Sequence, residues 1–147
     1  MEERVEGAMD LAGLIREGFE LKQQDIRSYS PLTLAFLGDN VFDLIIRSLV
    51  AQEGNRQVNI LHKKKSAIVC ASAQAAILEA VKDSLSEEEA AVVRRGRNAK
   101  SHTMPKNAKM SDYRNATGFE ALLGFLYLQG RMDRILELTK TGLEAVR

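Results

Sequence analysis

The chain has 147 residues, enough for one domain with a substantial core and too few for two. Its 21 Lys and Arg against 20 Asp and Glu leave a formal net charge of only +1, so bulk electrostatics does not announce a polyanionic partner. No apolar run is long enough to cross a bilayer, and the acidic start "MEERVEGAMD" lacks a secretory or transit character, so a cytoplasmic protein with no membrane partner is expected. Cys70 is the single cysteine, and with His62 and His102 far apart no zinc or redox pattern forms.

In chain order, residues 1–29 read as an N-terminal extension, with a helix expected at about 9–22. Residues 30–147 carry the main domain. Ser30 followed by Pro31 predicts an N-cap and first helical residue, and the apolar pattern then runs through Val50 until Gly54 and Asn55 stop it. Residues 56–83 predict one long helix with Leu61, Ile68, Ala71, Ala75 and Leu78 on its buried face, although "SAIVC" alone has strand character. Ser86 with Glu89 three residues on is a capping box for a helix reaching Asn98. The segment 99–110 holds Pro105 with little periodicity and predicts a loop. Helices over 111–129 and 131–146, separated by Gly130, bring the expected total to six and the class to all-α.

Two of these helices carry acids in unexpectedly apolar surroundings. From Leu34 to Val50 the helix is apolar nearly all round, with Asp39, Asn40, Asp43 and Arg47 forming one narrow polar stripe, which predicts a central position. In "ATGFEALLGFLYL", residues 116–128, Glu120 is the only charge, and Thr117 and Gly124 share its face. The simplest reading is a pair of solvent-facing stripes. Against it, helices this apolar belong in an interior, where an unpaired carboxylate is costly unless protonated, paired or bound to a cation. Gly38 and Gly124 would let the two helices approach closely, gathering Asp39 and Glu120 into one site. Oxygen ligands without Cys or clustered His point to magnesium or manganese. Metal-assisted phosphodiester hydrolysis needs such an arrangement.

The positive charge is concentrated. Between Arg94 and Met110 lie six Lys or Arg and no acid, so the rest of the chain carries −5. Arg94, Arg95, Arg97, Lys100, Lys106 and Lys109, with Asn98, Ser101 and His102 as further donors, suit phosphate and 2′-hydroxyl groups. "HKKK" at 62–65 adds Lys63, Lys64 and Lys65 as a second phosphate-binding group. Aromatic residues make up 5% of the chain and Trp is absent, so duplex RNA read by shape is favoured over single strands read by stacking.

These residues resemble a known family. "LAFLGDNVFDL" is similar to the ribonuclease III signature, and "GFEALLGFLYLQG" to that family's later Glu-Ala-Leu-Leu-Gly helix. The likeness covers the endonuclease domain, residues 30–146, and nothing after it reads as a double-stranded-RNA-binding domain. That brevity, with "RRGRNAKSHTMPKN" and "YRNATGFEALLGFLYL", resembles the Mini-III ribonucleases. Two positions depart from the wider family pattern: Ala35 stands where a Glu precedes the signature Asp by four residues, and Thr117 where an Asp precedes the later Glu by three. Both replacements resemble the Mini-III branch.

The resemblance implies a ribonuclease III-like helical bundle and a homodimer with duplex RNA across its joint. It also implies cleavage to 5′-phosphate and 3′-hydroxyl ends, with precursor 23S ribosomal RNA as substrate. Asp39 and Glu120 carry over as the metal ligands, and Asp43 and Thr117 are candidates for supporting them from behind. The alternatives are a non-catalytic helical RNA-binding or ribosome-assembly protein, and a plain helical module that dimerises through its apolar helices.

Overall fold

The computed structural model describes residues 10–99 and 109–146. Lys100, Ser101, His102 and Lys106 of the expected RNA-binding set lie outside the described residues. Within them the chain is helical, with seven α-helices and two short 3-10 turns and no strand. The helices are α1 (Leu11–Gly18), α2 (Pro31–Glu53), α3 (Val58–Ile68), α4 (Ala71–Val81), α5 (Glu87–Asn98), α6 (Met110–Leu128) and α7 (Met132–Val146).

Local chemistry sets most of the ends. The Ser30 hydroxyl accepts from the Thr33 backbone N–H at 3.2 Å, with Pro31 at the first helical position. Ser86 and Glu89 form a reciprocal capping box: Glu89 N–H donates to the Ser86 hydroxyl at 3.1 Å, and Ser86 N–H donates to the Glu89 carboxylate at 2.9 Å. Gly130, at φ +71°, takes the left-handed conformation that ends α6 while Arg131 N–H donates back to the Leu126 carbonyl at 2.9 Å.

The helix expected over 56–83 is instead two helices. Val69 leaves the helical region (φ −86°, ψ 75°) and extended Cys70 opens α4. The strand-like "SAIVC" sits at this break, where neighbouring β-branched residues hold a helix weakly. The bend lets α4 lie on α6 while α3 stays beside α2.

The buried centre is α6, whose residues from Ala116 to Leu126 are all buried except the half-buried Glu120. Helices α2, α4 and α5 pack around it, and α7 closes the bundle against α4. Phe42 of α2 meets Phe119 of α6 edge to face, with centroids 5.6 Å apart at 82°. By contrast α2 is buried on one side only. Phe36 is 81% exposed and Leu44 57%, so the central position expected for this helix is corrected: its apolar excess faces outward from the single chain. The extension is held at one end where Arg95 donates to the Tyr29 carbonyl at 3.3 Å.

Candidate active site

Helices α2 and α6 cross with their backbones in contact. A methyl group on Gly38 would overlap the Glu120 carbonyl, and one on Gly124 would overlap the Leu34 carbonyl. Only two glycines facing each other's helix allow so close a crossing. Its consequence is chemical. Asp39, next to Gly38, is exposed at the rim of the crossing, and half-buried Glu120 lies within hydrogen-bonding reach of it.

The electrostatics of this pair are strained. Burial, reinforced by the neighbouring Asp39 charge, pushes the Glu120 carboxyl up to about 8, while an amide contact from Gln74 works in the opposite direction. Without a cation, Glu120 therefore holds a proton at neutral pH and shares it toward Asp39.

Gln74 was absent from the residues singled out by sequence. It projects from α4 at 3% exposure, and its Oε1 is buried with no hydrogen-bond donor. A signal existed: Gln74 falls on the same helical face as Ala71, Ala75 and Leu78, a long polar side chain among core positions.

Other candidates are engaged in structure. Asp43, one turn along α2 from Asp39, receives Arg47 at 2.7 Å and Lys65 at 3.4 Å. The Thr117 hydroxyl, 8% exposed at the residue level, donates to the Tyr113 carbonyl at 3.0 Å. Ala35 is buried in the core.

Among the basic residues, Lys65 is thus fixed one turn from Asp39, while Lys63 and Lys64 are exposed, Lys64 standing 3.9 Å from Glu53. Arg94, Arg95, Arg97 and Asn98 are exposed at the end of α5, and exposed Lys109 caps α6. Arg114 was also missed: it donates to the Arg97 carbonyl at 3.0 Å and to Asn98 Oδ1 at 3.3 Å, fixing the end of α5 beside α6. The Arg97 side chain lies against Gly118, two residues before Glu120. The α3 group thus meets α2 at Asp43 and Glu53, and the α5 group meets α6 at Gly118.

Among the described residues no group of three or more His, Cys, Asp or Glu gathers. Two carboxylates with an unmatched buried amide oxygen nearby do fit a hard divalent cation that keeps several waters. A fold that is helical throughout the described residues, with a paired-carboxylate site and exposed basic residues on two of its helices, defines a candidate nuclease. A model of the ribonuclease III domain matches residues 32–131, and the chain belongs to the ribonuclease III family of endoribonucleases. Its relatives include the Mini-ribonuclease 3 of Thermoanaerobacter sp. (strain X514), 43% identical over 92% of this chain and 96% of that protein. The Mini-ribonuclease 3 of Brevibacillus brevis is 46% identical over 80% of this chain and 87% of that protein. The crystal structure of a Fusobacterium nucleatum protein superposes with a TM-score of 0.75 at 33% identity, covering 84% of this chain and 98% of that one. The Mini-III resemblance of the motifs and these relatives agree.

Proposed function

We propose that this chain is a magnesium- or manganese-dependent endoribonuclease that cleaves double-stranded RNA, with Asp39 and Glu120 as the catalytic, cation-binding pair. The observation that carries the reading is the convergence of these two acids from separate helices, close enough that burial and mutual charge push Glu120 to about 8. Such a pair is relieved by a divalent cation.

A bound magnesium or manganese supplies Lewis acidity toward a phosphate oxygen and an acidified water at such a site. Asp39 and Glu120 would hold and orient it. Exposed Arg94, Arg97 and Asn98 bind backbone oxygens on one side and the Lys63 to Lys65 group on the other. Lys109 and, by sequence, Lys100, Ser101, His102 and Lys106 are assigned to the same RNA-binding role. Asp43, one turn from Asp39, holds Lys65, and buried Thr117 lies one turn before Glu120 on α6. Attack of water at phosphorus with departure of the 3′ oxygen leaves a 5′ phosphate and a 3′ hydroxyl.

Phe36, 81% exposed one turn before Asp39, with exposed Leu32 and Leu44 on the same helix, supports a second copy of the chain as the cover, giving a homodimer. The Mini-III resemblance extends the reading to precursor 23S ribosomal RNA in the cytoplasm. Among the described residues no helix is long and apolar enough to cross a membrane.

The test is cleavage of duplex RNA, including a precursor 23S stem, by purified protein in magnesium. Cleavage to 5′-phosphate ends that stops with a chelator and in Asp39→Asn is expected. Full cleavage by Asp39→Asn, or with chelator, overturns the assignment. RNA binding without any cleavage favours the non-catalytic alternative.

A further inference from the structure

The bend at Val69 and Cys70 turns α4 onto α6 and delivers Gln74 beneath the acidic pair. Its side-chain amide lies near enough to Glu120 to favour the charged carboxylate, which brings its Oε1 near that carboxylate as well. That Oε1 is buried and accepts nothing, although the residue is 3% exposed. An unmatched buried acceptor is destabilising and survives where something supplies a donor or a positive charge. Nearby, Ala35 and Thr117 offer no carboxylate, and the Thr117 hydroxyl is already used on the Tyr113 carbonyl. Two anionic side chains leave most of a six-oxygen shell to neutral oxygens.

We propose that Gln74 is the third, uncharged member of the cation site, a positioning residue that holds the Glu120 carboxylate through its N–H and receives a cation-bound water at its Oε1. This rests on the cation-binding reading given above. It assigns to α4 the role of aligning Glu120 and ordering the hydration shell. Outer-shell hydrogen-bond partners of this kind contribute about 10- to 100-fold in metal affinity.

The experiment titrates manganese into the RNA-free, chelator-stripped protein by calorimetry and follows the melting temperature with and without manganese. Gln74→Met keeps the length and removes both polar atoms. It is expected to melt at or above the wild-type temperature without cation, to bind manganese about 10- to 100-fold more weakly, and to lose most of the manganese-induced rise. Gln74→Glu restores an oxygen with charge, and is expected to melt lower without cation and to show a larger manganese-induced rise than wild type. The inference is overturned if Gln74→Met binds manganese as wild type does while Asp39→Asn does not. If Gln74→Met fails to fold, an unchanged manganese response in Gln74→Glu overturns it instead. A wild-type protein that binds no manganese at all overturns the cation-site reading itself, and this inference with it.

Discussion

The backbone of Gly38 lies directly against the carbonyl of Glu120, so the residue beside the first acid is in van der Waals contact with the second acid's own peptide. Helix spacing and site geometry are thereby one variable. Gly38→Ala must push α2 away from α6, since the obstructing atom is backbone. Overpacking of this kind costs about 1–3 kcal/mol, and roughly 2–4 °C in Tm accompanies each kcal/mol in a domain of this size. Cleavage at a temperature where the variant remains folded should fall further than its folded fraction does, because Asp39 and Glu120 part. A stable Gly38→Ala with full activity would contradict the close crossing.

The raised Glu120 sets a pH dependence whose sign is fixed. Folded Glu120 retains its proton up to about 8, whereas the unfolded residue releases it near 4.5. Between those values the folded state binds more protons, so this contribution to stability is complete below the lower value and is lost as pH rises through the upper one. In chelator, wild-type stability relative to Glu120→Gln should fall across that window, with a limiting slope of about 1.4 kcal/mol per pH unit. Melting both proteins across the pH range checks it. Manganese affinity should strengthen over the same window, because the cation displaces the proton.

A second ionic feature, joining α5 to α7, works the opposite way. Arg134 donates to both Glu89 oxygens, Nη2 to Oε1 at 2.8 Å and Nε to Oε2 at 2.9 Å, and also to the Ser84 carbonyl at 2.8 Å. The hydrogen bond from Arg134 holds the Glu89 carboxyl below its usual value, so this contribution is present above that value and lost on acidification. Arg134→Met strands a buried capping-box carboxylate and should cost about 3 kcal/mol. For this chain length that lowers Tm by roughly 6–12 °C, readable by thermal melting, while cleavage at low temperature stays intact.

Duplex RNA affinity should respond to charge in both basic groups, on α3 and on α5. Replacing Lys63, Lys64, Arg94 and Arg97 together by Gln is expected to weaken binding across all duplex sequences. The slope of log affinity against log salt should flatten by roughly 0.9 for each phosphate that the variant no longer neutralises. Binding is measured in chelator so that cleavage does not interfere. Arg95 and Lys65 are left in place because they hold the Tyr29 carbonyl and Asp43.

Exposed Phe36 gives the test of self-association. Phe36→Ser removes an apolar side chain that the single chain does not bury, so monomer stability should change little while the proposed homodimer should dissociate. Sedimentation over a concentration series should move toward the monomer mass, and cleavage should fall in step with dissociation.

The sequence by itself determined the helical class and most helix ends, because Ser30, the Ser86 and Glu89 box and Gly130 act on backbone groups within a few residues of themselves. It also singled out Asp39 and Glu120, since an acid in an apolar helix is visible in local periodicity alone, and the paired glycines suggested where the two helices meet. Tertiary packing decided what local pattern does not encode. It split the expected long helix at Val69, placed α6 rather than α2 at the centre, left Phe36 outside and turned Gln74 onto Glu120. Each of these outcomes sums contacts between helices far apart in the chain. Periodicity specifies which face of a helix is buried, but not which partner buries it.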